Sequence, residues 1–322
     1  MRIFTLLIFF TAFHSISQNL ITKDSLNARQ IVDSLFVDRD LNNWSVRLYS
    51  NIKAQRFKLS NDEAHLNFTP NNPYGIGVGV ATSKLILDIG YNLKSKKEEE
   101  TDRFDLQAGF FLKKNVINFF VQVYEGFNMK NSIDNRNIFR NDIKSIGAGI
   151  DYLYLTKRKG FSTNLLRSGL KDPKQSNFSF GLGGFLLFNQ VSADKSIVPS
   201  EYHPYFNEQS RLIDFTNYGF GLMGGILSVF SLPSNFYLAL SSKAGAGIAF
   251  QNKQTENLNS STNTSGIYNI NASALLGYKW KRFYINFSVN GTNYWTNIGS
   301  GNRAAFAVSR AKVAIGYRIR KN

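Results

Sequence analysis

The glycine-rich stretch of residues 71–84, NNPYGIGVGVATSK, is the first place where this sequence could do chemistry. Glycines at alternate positions can open a dinucleotide-binding loop, in which the backbone cradles a phosphate between a strand and a helix. That motif needs its third glycine three residues after the second, whereas Gly79 follows Gly77 by two. Ile76 and Val78 alternate with the glycines, which predicts a strand with one apolar face and one bare face.

Histidine is scarce, and a hydrolase of the Ser-His-Asp type would need one as its general base. His65 and His203 are the two that follow the N-terminal apolar stretch, and both fall in predicted loops. His203 lies in the run PSEYHPYFNE, close to Glu201, Tyr202 and Glu208, so a site at the rim of the fold is one hypothesis. A structured loop is the interpretation that we prefer, and we expect no enzymatic activity.

Acidic residues cluster in the run Glu98 to Glu100, which Asp102 follows. Carboxylate oxygens are calcium ligands, but a dedicated calcium loop spaces them apart and turns at a glycine. The run has neither feature and follows three lysines, so it is predicted to be a solvated charged segment. The chain also has no cysteine. We therefore expect no metal site, no cofactor and no disulfide.

The elements that would hold any site are predicted to be strands, because apolar side chains recur at every second position along most of the chain. Twelve such segments are found, for example Phe104 to Leu112 and Phe283 to Val289. Each is near the roughly 10 residues that a tilted strand needs to cross a bilayer. We predict an all-β fold, a transmembrane antiparallel up-and-down β-barrel of about 12 strands, within a range of about 10 to 14.

The predicted connections alternate between long and short, as they do in outer-membrane barrels. The long polar links, expected on the outer side, are residues 58–72, 94–102, 126–142, 190–216, 251–266 and 294–304. Residues 156–177 break the alternation, because they are long where a short periplasmic turn is expected. The exact strand count is therefore left open at this link.

The N-terminus carries the pattern of an export signal. Arg2 precedes an apolar stretch at residues 3–13, and Ser17 completes the small-residue motif of a cleavage site. We assign residues 1–17 to a cleaved signal peptide, 18–42 to a periplasmic lead-in segment and 43–322 to the barrel. A signal peptide followed by a membrane barrel predicts the outer membrane of a Gram-negative bacterium.

The chain is strongly basic, with a formal net charge of +16 and a pI near 9.8. Exported basic proteins commonly meet anionic lipid, lipopolysaccharide phosphate or polysaccharide. The basic residues are dispersed and do not interleave with aromatic ones, so nucleic-acid binding is not expected. The expected partners are outer-membrane lipid, lipopolysaccharide, the barrel-assembly machinery and an anionic solute.

Several stretches resemble the outer-membrane barrels grouped as domain of unknown function 4421, and the resemblance runs from about Leu35 to Ile319. The most specific pieces are Pro70-Asn71, Gly75-Ile76-Gly77, Asp105-Leu106-Gln107 and Tyr124-Glu125-Gly126-Phe127. The resemblance implies the fold and the compartment, and it implies no activity. One departure is that Arg320-Lys321-Asn322 follows the last strand, where a terminal aromatic residue would be expected.

The two-residue period also predicts which side chains point into the barrel. The basic residues assigned to the inner face are Arg47, Lys53, Arg103, Lys243, Lys279, Arg310, Lys312 and Arg318. The acids assigned to the same face are Asp88, Asp105 and Asp151. The first and last strands must pair to close the barrel, which places Arg47 and Lys53 on one wall with Arg310 and Lys312. Charge inside a low-dielectric wall focuses its field and attracts counter-ions.

Three hypotheses for the function follow. The first is a porin-like passive channel, or a binder of a small solute or anion, with a basic lumen. The second is a non-conducting surface scaffold or adhesin whose long outer loops contact lipopolysaccharide or a partner. The third is a hydrolase with its site at the rim. Inward aromatic residues such as Tyr49, Tyr124 and Tyr284 can fill the space that the glycines leave, so a closed interior is an alternative to an open pore.

Overall fold

The computed structural model describes residues 44–81, 85–93, 99–112, 114–156, 176–256 and 260–319. The predicted signal peptide and lead-in segment, and most of the 156–177 link, lie outside these residues. Thirteen strands are found: β1 (Trp44–Ser60), β2 (His65–Thr69), β3 (Tyr74–Ala81), β4 (Leu85–Asn92), β5 (Asp102–Leu112), β6 (Asn115–Asn131), β7 (Asn137–Leu155), β8 (Asn177–Ser192), β9 (Leu212–Ser231), β10 (Phe236–Thr255), β11 (Ser260–Trp280), β12 (Phe283–Gly299) and β13 (Asn302–Ile319). Two 3₁₀ helices, Ser200–Tyr205 and Glu208–Ser210, lie between β8 and β9. No helix in this part of the chain has the length and hydropathy of a membrane span.

Twelve of the strands form a closed antiparallel ring. β1 pairs with β13 over its whole length, from Trp44 opposite Ile319 to Ser60 opposite Arg303. Closure leaves the ring without an unpaired edge, so the backbone hydrogen bonds are satisfied within the wall, as a lipid environment requires. The predicted antiparallel barrel of about 12 strands is confirmed, and so is the pairing of the first strand with the last.

The thirteenth strand, β2, lies at one end of the barrel, above the part of the wall that has the shortest strands. β3, β4 and β5 have 8, 8 and 11 residues, whereas β1 and β6 have 17 each. β2 bridges the protruding ends of the two longer strands, with Phe68 opposite both Phe57 of β1 and Met129 of β6. The prediction of a loop over the whole of residues 58–72 was therefore wrong. Leu66 and Phe68 form an inward apolar face that makes residues 65–69 a strand.

Four of the other long links, at 126–142, 190–216, 251–266 and 294–304, are also shorter than predicted, because their flanking strands continue into them. β6 ends at Asn131 and β7 begins at Asn137, so most of 126–142 is strand. Likewise β10 continues to Thr255, and only Ser300 and Gly301 separate β12 from β13. The polar side chains of these extensions face water rather than lipid, which made the stretches resemble loops in the sequence.

The two faces of the wall differ in chemistry. Outward side chains are apolar and exposed over a broad belt, as with Leu48, Ile89 and Leu222, which are 68%, 63% and 79% exposed. Aromatic residues lie at both edges of this belt, among them Tyr91, Tyr218, Phe250, Tyr268 at one edge and Phe178, Phe236, Trp280, Phe283 at the other. This is the exterior of a transmembrane barrel, with aromatic girdles at the two interfaces.

Inward glycines leave space for inward tyrosines. Tyr49 stands opposite Gly77, and Tyr284 stands opposite Gly316, in each case across a pair of neighbouring strands. A Cβ atom at either glycine would overlap the ring of the facing tyrosine. The glycine run at residues 75–79 is thus part of the barrel wall, and its bare face accommodates an aromatic ring.

One end of the barrel is filled by an apolar cluster, and we call it the capped end. The cluster includes Phe57, Leu66, Phe68, Phe127, Met129, Ile197, Val198, Tyr202, Phe206, Phe215 and Phe306. Residues 193–211, which we call the cap segment, contribute four of these. We call the opposite end, with the connections at residues 232–235 and 281–282, the turn end. The inner residues therefore pack into a closed core at the capped end.

Candidate functional site

A network of ion pairs lies on the inner face between β1, β4 and β13. The Arg47 Nε donates a hydrogen bond to Oδ1 of Asp88 at 2.9 Å, and Lys312 Nζ binds Oδ2 of the same carboxylate. All three residues are buried. Lys312 Nζ also lies 3.5 Å from the centroid of the Tyr49 ring, which adds a cation–π contact. Arg47 and Lys312 thus share the single negative charge of Asp88.

Asp105 on β5 forms a second centre. Lys53 Nζ is 3.0 Å from its Oδ2, while the Tyr124 hydroxyl and Gln122 Nε2 donate to its Oδ1 at 2.9 and 3.0 Å. The carboxylate is thus contacted from β1 at Oδ2, by the Lys53 ion pair, and from β6 at Oδ1.

Arg310 lies between the two centres and has no such partner. In the ladder it stands opposite Lys53 on one side and Asn290 on the other. Its guanidinium interacts electrostatically with Asp88 and Asp105 and is repelled by Arg47. No hydrogen bond or ion pair within the described residues involves Arg310. Its charge is therefore balanced only at a distance.

Arg310 lines a partly open cavity of about 170 Å³. On the far side of this cavity, Lys243 Nζ donates to Oδ2 of Asp151 at 3.1 Å. Neutral hydrogen-bonding groups, including Asn271, Asn290 and Thr292, complete the polar part of the lining. The cavity can accept a small solute that offers an anionic group to Arg310.

The structure brings together five of the eight predicted basic residues and separates three. Arg47, Lys53, Lys243, Arg310 and Lys312 surround the cavity or its ion pairs. Arg103 faces inward near the capped end and donates through Nη2 to the Tyr74 carbonyl at 2.7 Å. Lys279 and Arg318 lie near the turn end, and neither lines the cavity.

Sequence reasoning did not identify Gln122 and Tyr124 as partners of Asp105. The signal was present, because both residues are on the inward face of β6 and Tyr124 lies in one of the stretches that carry the family resemblance. Another of these stretches meets the start of β5, where Asn71 Oδ1 accepts from the Thr101 amide at 2.9 Å. The most specific pieces of the resemblance thus gather on β3, β5 and β6, around one corner of the barrel.

The cap segment is attached to several sides of the mouth. Asn131 Nδ2 donates to the Tyr202 hydroxyl at 2.9 Å, and Asn61 Nδ2 donates to the Tyr205 carbonyl at 2.8 Å. Asn207 Nδ2 donates to the Ser300 carbonyl at 2.9 Å. Burial, with the nearby carboxylates of Glu201 and Asp134, raises the pKa of Tyr202 to about 12. These contacts join the cap segment to β1–β2, β6–β7 and β12–β13.

His203 lies in the same segment. Its Nε2 is 3.0 Å from the Val198 carbonyl oxygen and 3.9 Å from Oε2 of Glu256. These contacts anchor the ring to the backbone of its own segment and to the end of β10. Within the described ranges, no group of three or more His, Asp or Glu residues could hold a metal ion.

The sequence and the structure were each compared with known proteins. A family model described as Domain of unknown function (DUF4421) matches residues 31–318. No curated protein matches the sequence. Similar solved structures include the outer membrane protease OmpT from Escherichia coli, at 11% identity and a TM-score of 0.41, covering 86% of this chain and 97% of that one.

Two further structures are similar at lower identity. The Pseudomonas putida (P. putida) toluene transporter TodX is 8% identical with a TM-score of 0.28, covering 87% of this chain and 91% of that one. The beta domain of the Bordetella autotransporter BrkA is 8% identical with a TM-score of 0.35, covering 86% of this chain and 98% of that one. Identities this low bear on the fold alone.

Proposed function

This chain belongs to the family described as domain of unknown function 4421, and we propose that it binds a small anionic solute inside an outer-membrane barrel that is closed at its capped end. The proposed location is the outer membrane of a Gram-negative bacterium. It is supported by the lipid-facing apolar belt with its aromatic edges, and by the export signal pattern of residues 1–17.

Arg310 carries the proposal. Around the cavity the cations are Arg47, Lys53, Lys243, Arg310 and Lys312, and the carboxylates are Asp88, Asp105 and Asp151. Each carboxylate has an ion-pair partner other than Arg310. A cation inside a protein wall without a paired charge is costly, and a bound anion would remove that cost. Arg310 at the cavity surface is the group that such an anion would meet.

The filled capped end supports a binding site over a passive channel. Phe57, Phe68, Phe127 and Phe215 are each at most 1% exposed, and they pack inside the wall with the cap segment. A water-filled pore would need a continuous polar path through this region. We therefore propose binding without steady conductance.

The second candidate function is a surface scaffold. It is supported by the strand extensions beyond the apolar belt and by the cap segment, which hydrogen bonds to three hairpins at the mouth. Such a rigid platform could contact lipopolysaccharide or another protein.

We propose no enzymatic role. The test is to assay the purified barrel for lipid and peptide hydrolysis: we expect any activity found to be the same in wild type and in His203→Ala.

The experiment that tests the proposal is a calorimetric titration of the purified barrel with acetate and, separately, with inorganic phosphate. We expect wild type to bind at least one of these anions and Arg310→Gln to lose that binding. Arg303→Gln is the matched control, because Arg303 is exposed on the outer side of the same strand and pairs with Asp62. Equal binding by wild type and Arg310→Gln would contradict the proposal, and wild-type binding of neither anion would favour the scaffold.

A further inference from the structure

We infer that the solute is a small monocarboxylate with an apolar body about the size of a benzene ring, bound with its carboxylate at Arg310 and its body toward the turn end. The inference rests on the proposed function and specifies its ligand. It depends on how polar and apolar residues are distributed along the axis of the cavity.

The cavity has a polar level and an apolar level. On β4 the lining residue Asp88 is followed by Ile86 two positions nearer the turn end. On β6, Asn118 is followed in the same direction by Val116, and on β7 Asp151 is followed by Leu153. Two residues of strand advance about 6–7 Å, so the levels are offset by roughly the length of a small ligand.

The far wall repeats the same order. Lys243 on β10 belongs to the polar level, and Ala239 lies nearer the turn end. On β11 the polar Asn271 is followed, past Ser273, by Leu275. Leu227 of β9 adds to the apolar level and is 3% exposed. On these five strands a polar lining residue thus lies nearer the capped end than an apolar one; Ser241 and Ser288 also line the turn-end side, and Phe120 and Tyr294 line the capped-end side.

This arrangement selects an amphipathic ligand. A small hydrophilic anion such as phosphate would satisfy Arg310 but would leave the apolar level in contact with water. A neutral apolar molecule would fill that level and leave the guanidinium unpaired. A monocarboxylate satisfies both, because its planar carboxylate can accept two hydrogen bonds from one guanidinium.

The cavity volume sets the size of the ligand. A cavity of about 150 Å³ lined by apolar side chains holds one benzene molecule. The volume of about 170 Å³ found here accommodates a benzene ring with a carboxylate, or a carbon chain of similar bulk. Long acyl chains exceed it.

The test compares benzoate, acetate and benzyl alcohol by calorimetry on the intact barrel. We expect benzoate to bind about tenfold or more tightly than acetate, because its ring buries apolar surface that a methyl group does not. Benzyl alcohol should bind at least about tenfold more weakly than benzoate, because it brings no charge to Arg310. Arg310→Gln should lose benzoate and acetate alike.

A second variant separates the apolar level from the charge. Leu227→Asn should weaken benzoate about tenfold and weaken acetate less, since it alters the level that the ring contacts. Leu187→Asn is the control, because Leu187 is also inward and buried but does not line the cavity. Heat-dependent migration on a gel confirms that each variant forms the barrel. Benzoate binding no tighter than acetate would overturn the inference and leave the proposed function standing. If Arg310→Gln still bound both benzoate and acetate, the inference and the proposed function would both be overturned.

Discussion

Lys53 of β1 and Arg310 of β13 stand directly opposite each other on the inner face of the seam that closes the barrel. Two neighbouring cations repel, and the repulsion is strong inside a wall where water is scarce. Asp105 reduces this repulsion because it forms an ion pair with Lys53, while Arg310 lines the cavity. Closure of the barrel and the binding site that we propose therefore depend on the same seam.

Asp105→Asn should destabilise the barrel by about 3–5 kcal/mol, because it leaves Lys53 buried without its counter-charge. Urea unfolding in detergent micelles measures the change. The matched control is Asp62→Asn, whose pair with Arg303 is exposed to water and should contribute less than about 1 kcal/mol. Equal losses in the two variants would show that the buried pair at the seam contributes no more than a surface pair.

Gly77→Ala should destabilise by about 1–3 kcal/mol, because the new methyl group overlaps both the backbone carbonyl oxygen of Ile89 and the Tyr49 ring. Gly224→Ala is the control, since the nearest heavy atom to its added Cβ is 3.6 Å away. The same unfolding measurement applies. A Gly77 variant as stable as the Gly224 variant would mean that the ring does not need the bare face of β3.

Val78→Arg tests which face of the wall meets lipid. Val78 points outward and is 54% exposed within the apolar belt, so an arginine there should cost about 2–4 kcal/mol near the bilayer midplane. Thr264→Arg, on the outer face at the edge of the belt opposite Phe250, should cost no more than about 1 kcal/mol. Unfolding from lipid vesicles is the measurement. If Val78→Arg had no effect, the outward assignment of this face would be contradicted.

Tyr202 should make the capped end sensitive to strong alkali. Its pKa is raised to about 12 in the fold, above the ordinary value of 10 for an unfolded tyrosine. The folded state therefore favours the neutral phenol, and this contribution to stability is full below pH 10 and is lost as the pH rises toward 12. Between these pH values the melting temperature should fall more in wild type than in Tyr202→Phe. Parallel curves would refute a role for this hydroxyl.

The inner and outer faces could be predicted from sequence, because a two-residue period is a local property of the chain. Gly77, Val78 and Arg310 were each assigned to a face by that period alone. The partners could not be predicted, because they depend on the register between strands that are distant in sequence. Nothing local indicates that Lys53 pairs with Asp105, some fifty residues away, while Arg310 beside it does not.

The cap segment and β2 escaped prediction for a different reason. Their outward residues are polar and their apolar residues are few, so each resembles a loop until the mouth of the barrel supplies the surface that they cover. Ile197 and Val198 are fully buried in the cluster that also contains Phe57 of β1 and Phe306 of β13. Such burial depends on tertiary packing, and the alternation of Leu66 and Phe68 in β2 is too short to predict a strand by itself.

Anomalous diffraction from crystals grown with 4-bromobenzoate would locate the proposed ligand directly. We expect the carboxylate at the Arg310 guanidinium and the bromine peak on the turn-end side, near Leu153 and Leu227, in wild type and not in Arg310→Gln. Bromine peaks confined to the outer surface of the barrel, or an internal peak that persists in Arg310→Gln, would contradict this expectation.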